Sequence, residues 1–432
     1  MTLPTKIPQP SQDRLDMLYN LSQAFNSSLD LDEVLNRVID EVIVATKAER
    51  GFVMMYDALG ELVFRVARGM DQSIIGDPVF QVSLGVVEGV ARDGQPILTG
   101  DAQIDPRFSA RQSVKLLGLR SILCVPLKVK EQILGTVYVD NRVQAGIFTQ
   151  DDLELLNSIA SSAAIAIENA RLYQVAIEKG KLEQELQMAR QLQTSLLPQG
   201  TPQVPGWEFA ARWLPARQVA GDYYDFLLRE GGQLGLVIAD VSDKGMHAAL
   251  FMALSRSILR ASMDQSSFPS EGMNRANRLI CADSTSGMFV TVFYASLDPE
   301  KNEITYVNAG HNPPLLFKSG AKQFSERLEQ LGRTGMALGV IPDASYRQVS
   351  VQINPGDILV LYTDGVTEAA DKEGNYFGVE KLEQVVKEIY NESAVDIATS
   401  IELAVREFSG AHDSLESYTT YDDITIMVAK RL

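Results

Sequence analysis

Aspartates stand at several junctions between apolar runs and turns in the second half of the sequence. The segments are AGDYYDF with Asp222 and Asp225, IADVSDKG with Asp240, LYTDGVTE with Asp364, and TYDDIT with Asp422 and Asp423. A carboxylate at the end of a buried strand is costly to desolvate alone, so converging carboxylates need a counter-charge. No matching basic cluster stands beside them, and carboxylate and carbonyl oxygens suit hard divalent cations. The pattern therefore predicts a magnesium or manganese site.

An alternative exists for each segment taken singly. An Asp after a strand most often caps a helix or closes an Asx turn, and only the four segments together favour a metal. Other catalytic patterns are missing, because the sequence has no GxxxxGK[ST], GxGxxG, HExxH, GxSxG or CxxC motif and its three histidines are scattered.

Composition narrows the class of protein. The chain has 432 residues and a formal net charge of −17, the wrong sign for binding nucleic acid or an anionic membrane surface. Cys124 and Cys281 are too few and too far apart for a disulfide framework. No apolar run of 18 residues and no secretory leader is found. We therefore expect a cytoplasmic protein of two or three domains.

Hydrophobic spacing predicts the elements that position these residues. The first half reads as two helices, a hairpin over 51–66 and strands at 121–129 and 133–139, a mixed α+β unit. A helix follows from Thr149 to Leu197 and ends at Pro198, and its second half carries a narrow seam typical of a short coiled coil. The seam residues are Leu182, Leu186, Ala189, Gln193 and Leu196. An amphipathic linker helix lying on one domain is the alternative.

The second half alternates strands and helices. Strands are predicted at 235–240, 291–296, 303–307, 357–362 and 424–429, and helices at 246–263 and 381–389. Six blocks in this part, in chain order, resemble the metal-dependent serine/threonine protein phosphatases (PPM, type 2C) of the bacterial SpoIIE/RsbU branch. The blocks are AxxxQxxLLP (189–198), GDYYD (221–225), ADVSDKGMHAALFMA (239–253), NAGHNPP (308–314), LYTDGVTEA (361–369) and YDDIT (421–425). The resemblance implies an αββα sandwich with two metal ions at one edge.

The resemblance also implies a role for each matching residue. Asp240 would bridge the two ions with the Val241 carbonyl as a further ligand, Asp222 would hold the second ion, and Asp364 and Asp422 would hold the first. Gly365 would allow close backbone approach, and Asp423 and Asp225 would support the site. Two divalent ions would generate a nucleophilic water and clamp the phosphate. Arg217 as a phosphate contact stays open. His247 reads as an ordinary helix residue rather than a general acid, and His311 reads as structural. Lys244 could contact the substrate phosphate or face solvent, and the second interpretation is favoured.

Residues 15–175 resemble a GAF sensor domain, a central antiparallel sheet with helices. The matching stretches are DAQIDPRF (101–108), RSILCVPL (120–127), LGTVYVDN (134–141) and the start of the long helix (148–173). The motif identifies the fold and leaves the GAF ligand unknown, and a unit that only dimerises is the alternative. Cys124 reads as a core thiol.

Together these patterns predict four segments: a disordered N-terminus (1–14), the GAF domain (15–175), a coiled-coil switch linker (176–198) and the phosphatase domain (199–432). Gln193, Leu196 and Leu197 would form a regulatory switch in a homodimer joined through the GAF domain and linker helix. By family resemblance the substrate is a phosphorylated STAS-type anti-sigma-factor antagonist. A catalytically silent signalling scaffold and a phosphatase for a small phosphorylated metabolite are the alternatives.

Overall fold

The structure is a computed structural model that describes residues 12–71, 73–74, 82–108, 112–229, 232–284, 287–319, 328–410 and 422–432. Contacts between residues divide the chain into two compact units, Met1–Leu182 and Glu183–Leu432. Of the N-terminal segment 1–14, residues 1–11 lie outside the described residues, and the first helix begins at Gln12. No helix in the described ranges is both long and apolar enough to span a membrane.

The first unit is built on a five-stranded antiparallel sheet in the order β2-β1-β5-β4-β3. Its elements are α1 (Gln12–Phe25), α2 (Leu31–Thr46), β1 (Arg50–Tyr56), β2 (Leu62–Gly69), α3 (Leu84–Asp93), β3 (Ile97–Thr99), α4 (Gln112–Leu116), β4 (Ser121–Val129) and β5 (Gln132–Asn141). Apolar side chains from α1, α2 and residues 156–170 pack on one face of this sheet, and those of α3 pack on the other face. Cys124 is fully buried on the α3 face, which confirms it as a core thiol.

Helix α5 (Gln150–Leu196) is the longest element and runs from the first unit into the second. It begins at a capping box, in which the Thr149 N–H donates to Asp152 Oδ2 at 2.8 Å and the Asp152 N–H donates to Thr149 Oγ1 at 3.3 Å. Residues 156–170 bury small apolar side chains against the first sheet. From residue 171 to 192 nearly every side chain is exposed or half-buried.

The second unit is an αββα sandwich. One sheet has the order β13-β10-β9-β8-β7 and the other β12-β11-β14-β15-β6. The strands are β6 (Trp207–Leu214), β7 (Tyr223–Leu228), β8 (Leu234–Val241), β9 (Val290–Asp298), β10 (Glu303–Ala309), β11 (Leu315–Phe317), β12 (Leu328–Gln330), β13 (Val349–Gln352), β14 (Ile358–Tyr362) and β15 (Ile424–Arg431). The helices are α6 (Met246–Asp264), α7 (Pro269–Asp283), α8 (Asp364–Thr367), α9 (Gly378–Glu388) and α10 (Ala394–Phe408).

Three apolar cores hold these layers together. One lies between the two sheets, one under α6 and α7, and one under α9 and α10. Strand β8 reads almost wholly apolar because both of its faces are covered. The αββα expectation and the mixed α+β fold class are therefore confirmed.

Candidate functional site

The acidic segments meet at one edge of the sandwich because of where four strands begin and end. Asp222 precedes β7, whose first residue Tyr223 pairs with Ala239 of β8, immediately before Asp240. On the other sheet, β14 ends at Tyr362, which pairs with Ile426 near the start of β15. Asp364 follows β14, and Asp422 and Asp423 precede β15. The strand ends thus bring five of the six predicted aspartates to one place.

Asp222 links the two sheets. Its carboxylate is 2% exposed, and its Oδ2 accepts hydrogen bonds from Thr363 Oγ1 at 2.6 Å and Thr425 Oγ1 at 2.8 Å. Both threonines lie at the edge of the sheet that contains β14 and β15, whereas Asp222 immediately precedes β7 of the other sheet of the sandwich. Burial, followed by the negative charges of Asp240 and Asp423, raises the pKa of Asp222 well above its ordinary value. Its two hydroxyl donors stabilise the charged form only in part.

Asp240 and Asp364 share this electrostatic environment. Burial and the charge of Asp364 raise the pKa of Asp240 to about 8. Burial and the charge of Asp422 raise the pKa of Asp364 to about 6. Among the described residues, no lysine or arginine forms an ion pair with Asp222 or Asp240. Ionisation of Asp222 and Asp240 would therefore place negative charge at this edge with no cationic partner from the described residues.

Asp423 anchors the loop that precedes Asp222. Its Oδ1 accepts from the Ala216 N–H at 2.7 Å, and its Oδ2 accepts from the Gly221 N–H at 2.8 Å. Its own backbone lies tightly against Gly365, because a Cβ on Gly365 would come 2.0 Å from the Asp423 carbonyl oxygen. Glycine is therefore needed at position 365 because the Asp423 backbone packs directly against it. Asp423 acts by positioning residues 216–221.

Asp422 already has partners on both oxygens. Its Oδ1 accepts from the Asp423 N–H at 3.0 Å, and Lys244 Nζ lies 2.9 Å from its Oδ2. Lys244 is 42% exposed, in line with a solvent-facing residue, and the loop after β8 also brings its ammonium group to the acidic edge. The Val241 carbonyl at the same loop lies beside Gly221, where a Cβ would be 3.2 Å from the carbonyl oxygen.

Asp225 has a different environment from the other aspartates. Its carboxylate is 1% exposed and forms ion pairs with Arg256 at 3.0 Å and Arg260 at 3.3 Å, both on α6. Burial raises the pKa of Asp225, and the two arginines act in the opposite direction. These contacts tie β7 to α6.

The end of α5 contacts the loop that Asp423 holds. Gln193 is 4% exposed, its Nε2 donates to the Ala220 carbonyl at 2.6 Å, and its Oε1 accepts from the Ala220 N–H at 3.0 Å. Leu197 is buried in the core beneath α6, and Leu196 is half-buried. Gln193 had been expected as a polar residue inside a coiled-coil seam. It faces its own unit instead, because its amide satisfies both polar groups of a fully buried backbone unit.

His311, His247 and Arg217 have different environments, and His412 lies outside the described residues. His311 is 1% exposed, and its Nδ1 lies 2.8 Å from Thr291 Oγ1. Burial lowers the pKa of His311 to about 3, so the ring is neutral and structural. His247 is exposed on the first turn of α6, and Arg217 is exposed in the loop before Asp222.

Sequence reasoning missed Thr363 and Thr425, which hold the most buried carboxylate. The available signal was their position, since Thr363 immediately precedes Asp364 in the TDG segment and Thr425 follows Asp423 by two residues in the DDIT segment. Their pairing with Asp222 could not be read from the chain, because 141 and 203 residues separate the partners.

The chemistry of the donor set fits hard divalent cations. In the part of the chain that the structure describes, no three acidic, histidine or cysteine side chains are close enough together to form a finished metal site. Nevertheless, the buried Asp222 carboxylate has no cationic partner among the described residues. The oxygens that this edge offers to a metal ion are those of carboxylates, hydroxyls and carbonyls. Such oxygens suit magnesium or manganese. The residues therefore fit the ions that the family resemblance implies.

This fold and acidic edge define the class of PP2C-like phosphatase domains. The solved SiaA-PP2C domain of Pseudomonas aeruginosa has the same fold, with a TM-score of 0.52 and 19% identity, over 60% of this chain and 99% of that one. Residues 230–432 match the family model for stage II sporulation protein E (SpoIIE), and residues 30–167 match the GAF domain model. The chain therefore carries a GAF domain followed by a SpoIIE-type PPM phosphatase domain.

Two curated relatives are similar to part of this chain. The phosphoserine phosphatase RsbU of Bacillus subtilis is 29% identical over 254 residues, which cover 58% of this chain and 71% of RsbU. Protein IcfG of Synechocystis is 29% identical over 283 residues, which cover 59% of this chain and 43% of IcfG. The match to IcfG thus spans less than half of that relative's length.

Proposed function

We propose that the second unit is a manganese- or magnesium-dependent phosphatase that hydrolyses phosphoserine or phosphothreonine on a protein. One observation carries this proposal: the buried Asp222 and the half-buried Asp240 lie at the edge of the sandwich, beside Asp364 and Asp422, and have no cationic partner among the described residues. An acidic edge of this kind would repel a phosphate dianion unless cations were bound.

The proposed ligands are Asp240 for both ions, the Val241 carbonyl and Asp222 for one side, and Asp364 and Asp422 for the other. Two divalent ions would supply Lewis acidity and a water acidic enough to react near neutral pH. The chain's own contribution is positional. Thr363 and Thr425 fix Asp222 through one of its oxygens, while Asp423 fixes the backbone on either side of the 216–221 loop. These bonds keep the ligands in place before any substrate arrives.

The protein substrate we propose is a phosphorylated STAS-type anti-sigma-factor antagonist. Support comes from the six sequence blocks shared with the SpoIIE/RsbU branch and from the relative named a phosphoserine phosphatase. Release of phosphate from such a partner would connect a signal to transcription without contact with DNA, consistent with the net charge of −17.

Regulation is proposed to pass through α5 in a homodimer formed by the GAF domain and the linker helix. Gln193, Leu196 and Leu197 would be the switch, because the two Gln193 hydrogen bonds end on Ala220, two residues before Asp222. A change in the GAF unit would then alter how the end of α5 docks and so how Asp222 is held. The GAF ligand is unknown.

The test is hydrolysis of an aryl phosphate and of a phosphoserine protein, with and without Mn²⁺. We expect turnover only with the metal, and a loss of about 100-fold or more in kcat for Asp240→Asn and Asp364→Asn, since each removes a ligand charge. Asp298→Asn, on the β9–β10 turn, is the matched control and should retain full activity.

Turnover without metal, or turnover that survives both substitutions, would refute the two-metal mechanism. A protein that binds Mn²⁺ but hydrolyses neither substrate would be a silent scaffold. Hydrolysis of small phosphate esters with no preference for the phosphoprotein would favour a phosphatase for a small metabolite.

A further inference from the structure

Lys244 stands out among the groups at the acidic edge because it is a cation within a set of carboxylates. Its side chain is 42% exposed, and its ammonium group lies 2.9 Å from Asp422 Oδ2. The positive charge of Lys244 also lowers the pKa of Asp364, against the stronger effects of burial and neighbouring carboxylates. Lys244 is therefore within electrostatic reach of two of the proposed metal ligands.

The loop that carries Lys244 is held in one conformation. The Ser242 N–H donates to the Phe289 carbonyl at 2.9 Å, and the Phe289 N–H donates to Ser242 Oγ at 3.0 Å. Asp243 and Gly245 have φ of 84° and 85°, and the Lys244 N–H donates to Asp243 Oδ1 at 2.8 Å. These bonds return the chain toward the acidic edge after β8, so the position of Lys244 is set by the backbone.

Each carboxylate oxygen of Asp422 already has a partner in this arrangement. Its Oδ1 accepts from the Asp423 N–H and its Oδ2 pairs with Lys244. A metal ion that takes Oδ2 must displace the ammonium group or share the oxygen with it. These contacts of Asp422 agree with a second observation. Among the described residues, no three acidic, histidine or cysteine side chains are close enough together to bind one metal ion.

We propose that Lys244 exchanges partners in the working enzyme, pairing with Asp422 when no metal is bound and with the substrate phosphate when the metals are bound. The proposal rests on the phosphatase function stated above and assigns a residue that contacts its substrate. The ammonium group is suited to this exchange because Lys is a flexible point charge with three donors. Its partial exposure leaves it accessible to a phosphate group entering from solvent.

The exchange predicts two effects of opposite sign for Lys244→Met. Removal of the competing cation should tighten Mn²⁺ binding about fivefold, the upper range for a partly exposed ion pair. Loss of a charge-assisted phosphate contact should raise KM for an aryl phosphate about tenfold. Lys244→Arg should restore most of the phosphate affinity. Lys301→Met is the matched control, because Lys301 forms a 2.8 Å ion pair with Asp298 on the β9–β10 turn.

Mn²⁺ affinity is measured by calorimetry or by the EPR signal of free Mn²⁺, and KM by steady-state kinetics. A solvent-facing lysine would change neither quantity, and a merely structural lysine would weaken Mn²⁺ binding; either result would overturn the exchange. The Mn²⁺ arm does not need turnover, so its failure is distinguishable from failure of the proposed function. If no aryl phosphate is hydrolysed, binding of inorganic phosphate to the Mn²⁺-loaded protein replaces KM.

Discussion

The six aspartates of the acidic segments differ in the partners that the fold gives them. Asp225 receives two arginines, Asp423 two backbone N–H groups, Asp222 two hydroxyls, and Asp422 a lysine. The sequence identifies all of these residues, because each stands in a recognisable block at or next to an apolar run. It cannot separate their roles, because the partners of Asp222 and Asp423 lie more than 140 residues away in the chain. Only the folded sheets bring them together.

At Asp225 we expect a loss of stability with little loss of catalysis. Asp225→Asn leaves Arg256, whose side chain is 10% exposed, without its counter-charge. Removing one partner of a buried ion pair costs about 3 kcal/mol in the free energy of unfolding. Urea unfolding measures the loss, and kcat per folded molecule should stay close to that of the unaltered protein. A variant of normal stability with abolished turnover would instead place Asp225 in the metal site.

The raised pKa values predict how the metal-free protein responds to pH. The pKa of Asp240 is about 8 and that of Asp364 about 6, both above the ordinary value. The folded chain therefore binds protons that the unfolded chain has released between about pH 4 and 8. Its free energy of unfolding should fall as pH rises through this window, by up to about 1.4 kcal/mol per pH unit for each group.

The measurement is urea unfolding from pH 5 to 8 in the presence of a chelator. Asp240→Asn removes one of the titrating groups, so its stability should fall less steeply than that of the unaltered protein. Saturating Mn²⁺ should stabilise the unaltered protein most at high pH, where the carboxylates are charged. Parallel curves for the two chelated proteins would contradict the assignment of the raised pKa to Asp240.

Among the elements, strongly periodic segments were predictable and short or polar ones were not. Strand β4 was predicted at its observed bounds, and α5 within one residue at each end, because their apolar patterns are long. Strand β7 was missed because its sequence YYDFLL contains the buried Asp225, whose charge is tolerated only through the arginines of α6. Helices α7 and α10 were also not predicted, although both bury one apolar face.

The contact between α5 and the 216–221 loop can be tested at Gln193. Gln193→Ala removes both partners of the Ala220 backbone, which is fully buried, at a cost of about 1–3 kcal/mol. If this contact orders Asp222, kcat/KM should fall about tenfold and Mn²⁺ binding should weaken. Leu192→Ala, one residue earlier and 69% exposed, is the control. Unchanged turnover and Mn²⁺ affinity in Gln193→Ala would reject the switch.

For the whole molecule, the sequence predicted the order of parts better than their boundaries. The GAF and phosphatase blocks gave the two folds, which the family matches at 30–167 and 230–432 confirm. The linker was predicted over 176–198, whereas the division between the compact units falls after Leu182, inside α5. A continuous helix gives no local signal of where one core stops and the next begins, so this boundary depends on tertiary contacts.

The proposed homodimer depends on apolar side chains that α5 leaves exposed. Ile165, Leu172, Val175 and Leu182 are 52–57% exposed, and their spacings of seven, three and seven residues place them on one heptad stripe. This stripe shares only Leu182 with the seam predicted from the sequence. These four residues lie in the first unit, whereas Gln193 belongs to the second unit and contacts Ala220 there. Burial of such a stripe against an identical helix would remove apolar surface from water, at about 25 cal/mol per Å². We therefore expect the protein to sediment as a dimer.

Charged side chains placed on this heptad stripe should dissociate the dimer. The combined change Leu172→Glu and Leu182→Glu would bring like charges together across a parallel pair of helices, and sedimentation velocity should then show a monomer at micromolar concentration. Leu403→Glu is the matched control, because Leu403 is 55% exposed on α10 of the second unit. Circular dichroism should show retained folding in both variants, since the altered side chains are not in the core. A dimer that survives the double substitution would move the interface away from the helix, and a monomeric unaltered protein would reject the homodimer.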